Sequence, residues 1–265
     1  MGYMTNKTIL LTGAAGGFGQ EYIRQLLTHQ SNVIVTDMDA SRLEDMVNRS
    51  ASSIPGRKGN VLGLFASDLS TKGGCERVYA ECKKITARVD ILINNAGMIN
   101  YGYFHEIPYE AWEKLLRVNL LAPMHLTSMF VRDMLQRGYG HIVNMSSVAA
   151  FVPTSFETPY TVSKCGLLGF GMALYGELKK KGIHVTNVYP FFANTPLLQS
   201  PSYSRQKPKK LPRLLLDEPA MVVRKAIQGI CRKDLHVYPG FYAKLFHLVA
   251  KLHATIGFVP MEKQD

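Results

Sequence analysis

Short apolar runs rich in β-branched residues alternate along the chain with stretches of helical spacing. "TILLT" (8–12), "NVIVTD" (32–37), "NVLGLFASD" (60–68), "DILINNAG" (90–97), "GHIVNMSS" (140–147), "HVTNVYP" (184–190) and "LHVYP" (235–239) read as strands, the fourth running into a turn. Between them, "EYIRQLLTH" (21–29) sets Ile23, Leu26 and Leu27 on one side of a helix, and "SRLEDMVNR" (41–49) and "CERVYAECKKI" (75–85) are also helical in pattern. Two long helices are expected over about 109–137, another from Thr158 to about Lys181, and one over about 218–231. Thr158 as N-cap with Pro159 at the first helical position opens the helix to Lys181, and "KKKG" gives it a basic last turn and a stop. This order predicts an α/β protein, a single-domain Rossmann fold with a doubly wound parallel sheet and helices on both faces. No repeat or linker divides residues 1–240, the expected nucleotide-binding and catalytic domain. Within it, residues 191–216 are long, proline-containing and basic, and are expected to form a substrate loop; residues 241–265 are expected to add an amphipathic helical extension.

The turn after the first strand is glycine-rich: "TGAAGGFG" (12–19). Gly13 allows a tight turn, Gly17 lets the backbone approach a phosphate, and Gly19 lets helix and strand pack closely, with a pyrophosphate at the positive helix end. Phe18 lies between them and joins the candidate cofactor-binding residues. The spacing is GxxxGxG rather than GxGxxG. Asp37 ends the second strand, where a carboxylate accepts hydrogen bonds from ribose hydroxyls and repels a 2′-phosphate. No Arg or Lys stands in the turn or directly after Asp37, so NAD is expected over NADP. Asp37 has an alternative role as cap of the next helix, a job open also to Asp39 or Ser41.

Tyr160 and Lys164 are four apart on a predicted helix and share a face. A lysine ammonium favours the phenolate of a nearby tyrosine and tunes it toward proton transfer at working pH. Ser147, 13 residues upstream at the end of a strand, is placed to hold a substrate oxygen while Tyr160 exchanges the proton.

With "TGAAGGFG", "NNAG" (94–97), "NMSS" (144–147) and "YTVSK" (160–164) in this order, the chain resembles the short-chain dehydrogenase/reductase family over roughly residues 6–240. The resemblance implies a catalytic set of Asn119, Ser147, Tyr160 and Lys164, Asn119 supporting a proton relay to the lysine. The 13-residue spacing to Tyr160 favours Ser147 over Ser146. It further implies that Asp68 and Leu69 contact adenine, that Asn95, Ala96 and Gly97 line the adenosine side, that Tyr160 and Lys164 also touch the cofactor, and that Thr195 holds the nicotinamide amide. One departure stands out: Pro190-Phe191 replaces the family's usual Pro-Gly. Phe191 is expected to narrow the pocket or shift the bound ring, and it tilts the expected substrate toward bulky hydrophobic alcohols, as in hydroxysteroid and retinol dehydrogenase-like members. The resemblance also implies a homodimer or homotetramer, paired through the helices near 109–137 and 158–180.

Composition adds limits. The 265 residues carry a net charge of +11, and from residue 200 onward 12 Lys or Arg face 5 Asp or Glu. "SRQKPKKLPR" (204–213) reads either as solvated surface or as an anion-attracting patch, and no nucleic-acid module accompanies it, so nucleic acid is not expected. In 241–258 an apolar face of Leu245, Leu248, Val249, Leu252 and Ile256 stands apart from Lys244, His247 and Lys251. That helix either packs over the pocket or a partner subunit, or makes peripheral membrane contact. There is no run of 18 apolar residues and no signal-peptide layout. The four cysteines form no CxxC pair, and no metal-ligand set appears, so reduced thiols and a cytoplasmic location, peripheral to a membrane at most, are expected. Two other functions fit less of the sequence: a dinucleotide sensor whose 191–216 loop meets a partner, and nucleic-acid binding through the basic C-terminal part.

Overall fold

A computed structural model describes residues 2–52, 54, 59–205 and 212–253. Seven strands, β1 (Thr8–Thr12), β2 (Asn32–Asp37), β3 (Asn60–Ala66), β4 (Ile91–Asn94), β5 (Gly140–Met145), β6 (Ile183–Val188) and β7 (His236–Val237), pair in parallel in the order β3-β2-β1-β4-β5-β6-β7. Around them lie α1 (Gly17–Thr28), α2 (Ala40–Ser52), α3 (Lys72–Ile85), α4 (Tyr109–Leu116), α5 (Ala122–Arg137), α6 (Thr158–Leu178), α7 (Pro219–Arg232) and α8 (Phe241–His253). This is the expected doubly wound α/β fold.

Strand alternation sorts the core into two layers. Ile9 and Leu11 of β1 face α1 and α7, packing with Tyr22, Ile23, Leu26, Leu27, Val223 and Ile227. Leu10, between them, faces α3, α5 and α6, with Val78, Leu126, Phe130, Leu174 and Leu178. Each fully buried Leu or Ile contributes roughly 1.5–3 kcal/mol, so both layers are needed to hold the sheet. Cys75 and Cys82 are free thiols buried in the second layer.

Three differences from expectation bear on the site. Helix α6 begins at Thr158, and the N-cap position belongs to Glu157. The third strand ends at Ala66, because Ser67 and Asp68 turn out of the sheet to start the loop before α3. The two long helices over 109–137 are joined by a π-helical turn, Arg117–Leu121. Pro123 explains the turn: it has no N–H for the Asn119 carbonyl and its ring would crowd that carbonyl in an α-helix, so the ladder slips there.

Candidate active site

The sheet order reverses between β1 and β4, and the loops leaving their carboxyl ends open a crevice between them. The glycine turn forms one lip. Gly13 sits at a φ of 64°, and a Cβ on it would lie 2.6 Å from the Cα of Ala96. Asn95 braces this contact: its Nδ2 donates to the carbonyls of Thr12 and Gly13, both at 3.0 Å. The Thr12 hydroxyl oxygen accepts from the amides of Asn95 and Ala96, both at 3.1 Å. Asn95 therefore shapes the lip rather than offering a free donor. Gly16 is the N-cap of α1 and has no side chain to cap it. The amides of Gly17, Phe18 and Gly19 then have no acceptor among the described residues. A positive helix end with free amides is an anion cradle. Gly19 packs on the carbonyls of Gly13 and Ala14, and a Cβ on Gly17 would lie 2.7 Å from Cγ2 of Thr195, which closes over the turn.

Asp37 stands beside the cradle. Its Oδ2 accepts from the Ala15 amide at 2.9 Å and its Oδ1 from the Met38 amide at 2.7 Å. The capping job falls to Asp39, which accepts from the Arg42 amide at 3.1 Å and the Ser41 hydroxyl at 2.8 Å. Asp68 accepts from the Ser70 amide at 2.9 Å, and hydrogen bonding from Ser70 holds its carboxyl below the usual range. Leu69 buries its side chain in the second core layer, leaving only its backbone toward the crevice.

The far wall is α6. Lys164 is buried, its Nζ donating to the Met145 carbonyl at 2.8 Å and lying 5.4 Å from the centre of the Tyr160 ring. Ser147, after β5, accepts from the Ala149 amide at 3.1 Å, and its hydroxyl lies against the Tyr160 phenol, favouring the ionised form. Asn119, in the π turn, accepts from the Met98 amide at 2.8 Å and donates to the Met98 carbonyl at 2.8 Å and to Ser163 Oγ at 3.1 Å. Ser163 donates to the Tyr160 carbonyl at 2.6 Å. A Cβ on Gly97 would lie 3.5 Å from Asn119 Oδ1 and 3.8 Å from Lys164 Nζ, so that glycine keeps open the space beside both. Four expected catalytic residues thus meet at one place.

A family model of short chain dehydrogenases matches residues 7–206. The chain belongs to the short-chain dehydrogenase family. It is 30% identical over 224 residues to oxidoreductase UcpA of Salmonella typhimurium, covering 84% of this chain and 82% of that protein. Its fold matches a short-chain dehydrogenase from Sphingobium yanoikuyae in complex with NADPH, with a TM-score of 0.79, 25% identity and 98% of both chains covered. It also matches the bulky-bulky ketone specific alcohol dehydrogenase from Comamonas testosteroni, with a TM-score of 0.77, 25% identity, and 98% of this chain and 97% of that one covered.

The family binds a nicotinamide dinucleotide, and the free amides beside Asp37 fit such a ligand. In the protein alone, burial pushes the Tyr160 phenol above its ordinary pKa, with Ser147 acting against burial and Glu157 adding to it. Burial also lowers Lys164, to about 8, and its Nζ donates to the Met145 carbonyl. Phe191 stacks on Phe246 at 5.4 Å and tilts against Tyr242 at 5.2 Å, so its ring packs on α8.

The substrate loop is sewn to the core where the sequence shows no period. Tyr101 bridges to Ser202 in parallel, and Ser204 Oγ accepts from the Tyr103 amide at 2.7 Å while bonding to Glu106. The basic stretch 206–211 lies outside the described residues, as do residues 254–258 of the expected amphipathic helix. Along α8 the packed side chains are Tyr242, Ala243, Phe246 and His247, while Leu245 and Leu248 of the expected apolar face are 40% and 56% exposed and Val249 is half-buried. The leucines follow helical period, but the aromatic cluster of Phe151, Phe191 and Tyr238 takes the aromatic side instead. Among the described residues no helix is long and apolar enough to cross a membrane. Ser163 is a residue at this site that sequence reasoning missed. Ser163 lies inside the quoted "YTVSK", and its place one turn after Tyr160 was the available signal.

Proposed function

We propose that this short-chain dehydrogenase is an NAD-dependent oxidoreductase that interconverts a secondary alcohol and its ketone, acting on a bulky hydrophobic substrate. The meeting of Ser147, Tyr160 and Lys164 beside Gly97 carries this reading. The Ser147 hydroxyl donates to the substrate oxygen and fixes it against Tyr160. Tyr160 removes the hydroxyl proton during oxidation and returns it during reduction. Lys164 lies beside the ring and stabilises the phenolate electrostatically, while Asn119 and Ser163 hold that helical turn in place. The bound dinucleotide supplies the hydride acceptor or donor. Its pyrophosphate suits the amides of Gly17, Phe18 and Gly19, its adenosine ribose Asp37, its nicotinamide ribose Lys164, its adenine the Asp68–Leu69 backbone and the Asn95–Gly97 lip, and its nicotinamide amide Thr195.

The Sphingobium neighbour holds NADPH, so the preference for NAD rests on Asp37, whose carboxylate would meet a 2′-phosphate as a like charge. A bulky substrate is supported by the aromatic set around Phe191 and by the name of the Comamonas neighbour. Exposed Leu121, Met124, Leu135, Val162 and Met172 on the π turn, α5 and α6 support a homodimer or homotetramer through those helices. Exposed Phe241, Leu245 and Leu248 with Lys244 on α8 support contact with an anionic membrane surface by an otherwise cytoplasmic enzyme. The test is formation of NADH from NAD with a panel of hydroxysteroids, retinol and simple secondary alcohols. Turnover that requires Tyr160 supports the reading; a chain that binds NAD and turns over nothing favours the sensor reading through the 191–216 loop.

A further inference from the structure

Three features set the start of α6 apart. Glu157 occupies its N-cap, yet the side chain caps nothing. No hydrogen bond acts on its carboxyl among the described residues, although the residue is only 3% exposed. The residue before it, Phe156, is held at a φ of 67°, a conformation costly for a bulky side chain. The surroundings enforce that conformation: the Phe156 carbonyl accepts from the Gly102 amide at 2.9 Å, and its ring packs on Tyr103 at 4.8 Å. The strained turn aims Glu157 inward instead of letting it cap.

Its neighbours there are the catalytic groups. Glu157 stands at the N-cap of α6, three residues before Tyr160, and Lys164 follows Tyr160 one turn later on the same face. The Lys164 end of that stripe faces Gly97 and the Met145 carbonyl, on the dinucleotide side. The Glu157 end lies about 4.5 Å along the axis in the other direction. The carboxyl is close enough to raise the pKa of both the Tyr160 and the Tyr101 phenols. Tyr101 in turn belongs to the segment bridged to Ser202 of the substrate loop. Burial also raises the Glu157 carboxyl itself, to about 7, as expected of an acid without a partner.

We propose that Glu157, with Tyr101 beside it, forms a recognition subsite for a second hydrogen-bond donor on the substrate, a hydroxyl or an ammonium group separated from the reacting carbinol. The carboxylate accepts from that donor and gains the partner that the protein does not provide. The subsite rests on the redox reading above and names the substrate class: alcohols with a second donor.

Cyclohexanol, cyclohexanediol and aminocyclohexanol, the last two with the second group across the ring, test it on wild type, Glu157→Gln and Glu157→Ala. The diol should exceed cyclohexanol in kcat/KM in wild type. That ratio should fall about tenfold or more in Glu157→Ala, through KM more than kcat. Glu157→Gln should keep part of the diol preference and lose any preference for the ammonium compound. Calorimetric binding of the three probes to the NADH-loaded protein is read in parallel, and the diol's advantage should fall by the same factor. Wild type without turnover but with this binding pattern would sink the redox reading and leave the subsite standing. Equal ratios in wild type and Glu157→Ala, by turnover or by binding, would overturn the subsite. So would a lowered melting temperature in both variants, since an unpartnered buried acid should stabilise the fold on removal.

Discussion

The two lips of the crevice are built differently. On the nucleotide side the chain works with its backbone: amides at the start of α1, carbonyls under Gly19, a positive φ at Gly13. On the substrate side it works with side chains drawn from distant places, Phe191 on Phe246, Tyr101 beside Glu157, Ser204 on Glu106. Backbone sites leave no tolerance at a few glycines and admit one ligand class. Side-chain sites tolerate exchange and set which substrate is taken. The difference teaches where variation is expected to change the reaction and where it abolishes it.

Four changes break or sharpen that comparison, from the largest effect down. Lys164→Met removes the cation beside Tyr160 and should lower kcat by about 100-fold to 10,000-fold, the range of a lost acid–base contribution. Steady-state kinetics check it, with the melting temperature held or raised because a buried ammonium is removed. Gly19→Val forces a side chain into the carbonyls of Gly13 and Ala14; overpacking of this kind costs about 1–3 kcal/mol and should abolish NADH fluorescence binding, while Phe191→Ala leaves that binding in place. Asp37→Ala should narrow the preference for NAD over NADP by about tenfold to hundredfold, measured as the ratio of dissociation constants. Phe191→Ala should loosen α8, lower stability by about 1–3 kcal/mol for a half-buried ring, and broaden substrate choice.

Stability against pH adds a check on the substrate side. Glu157 has its folded pKa raised from 4.5 to about 7, so the folded protein holds more protons than the unfolded chain between those values. Stability from this group therefore falls as pH rises through that window, by at most on the order of 3 kcal/mol. Glu157→Gln should flatten the fall in denaturant melts. Lys164 has the opposite consequence. Its folded pKa is lowered from 10.5 to about 8, so the unfolded chain binds more protons between them and stability rises with pH there.

How much of this the sequence disclosed follows the same division. The seven strands, their parallel pairing and the glycine turn were legible, because period and glycine spacing are local signals. Ser147, Tyr160 and Lys164 were legible by their spacing along one strand end and one helix. Asp37 was separable from a helix cap because Asp39 stood nearby to do that work. The π turn was hidden, although Pro123 was its visible cause. The side of α8 that packs on the chain itself was not legible, because periodicity marked the leucines, whereas aromatic partners at 151, 191 and 238 decided which side turns in. Glu157 was hidden for a related reason: one position shifts the cap from Thr158 to Glu157, and only the fold shows that its carboxyl goes unused.

The most direct test of the central claim runs wild type and Tyr160→Phe side by side, measuring NADH formation from NAD with the alcohol panel and NADH binding by fluorescence. The account predicts turnover in wild type, a loss of at least about 100-fold in Tyr160→Phe, and equal NADH binding in both. Turnover that survives in Tyr160→Phe would contradict it, because the account assigns the alcohol proton to the Tyr160 phenol beside Ser147.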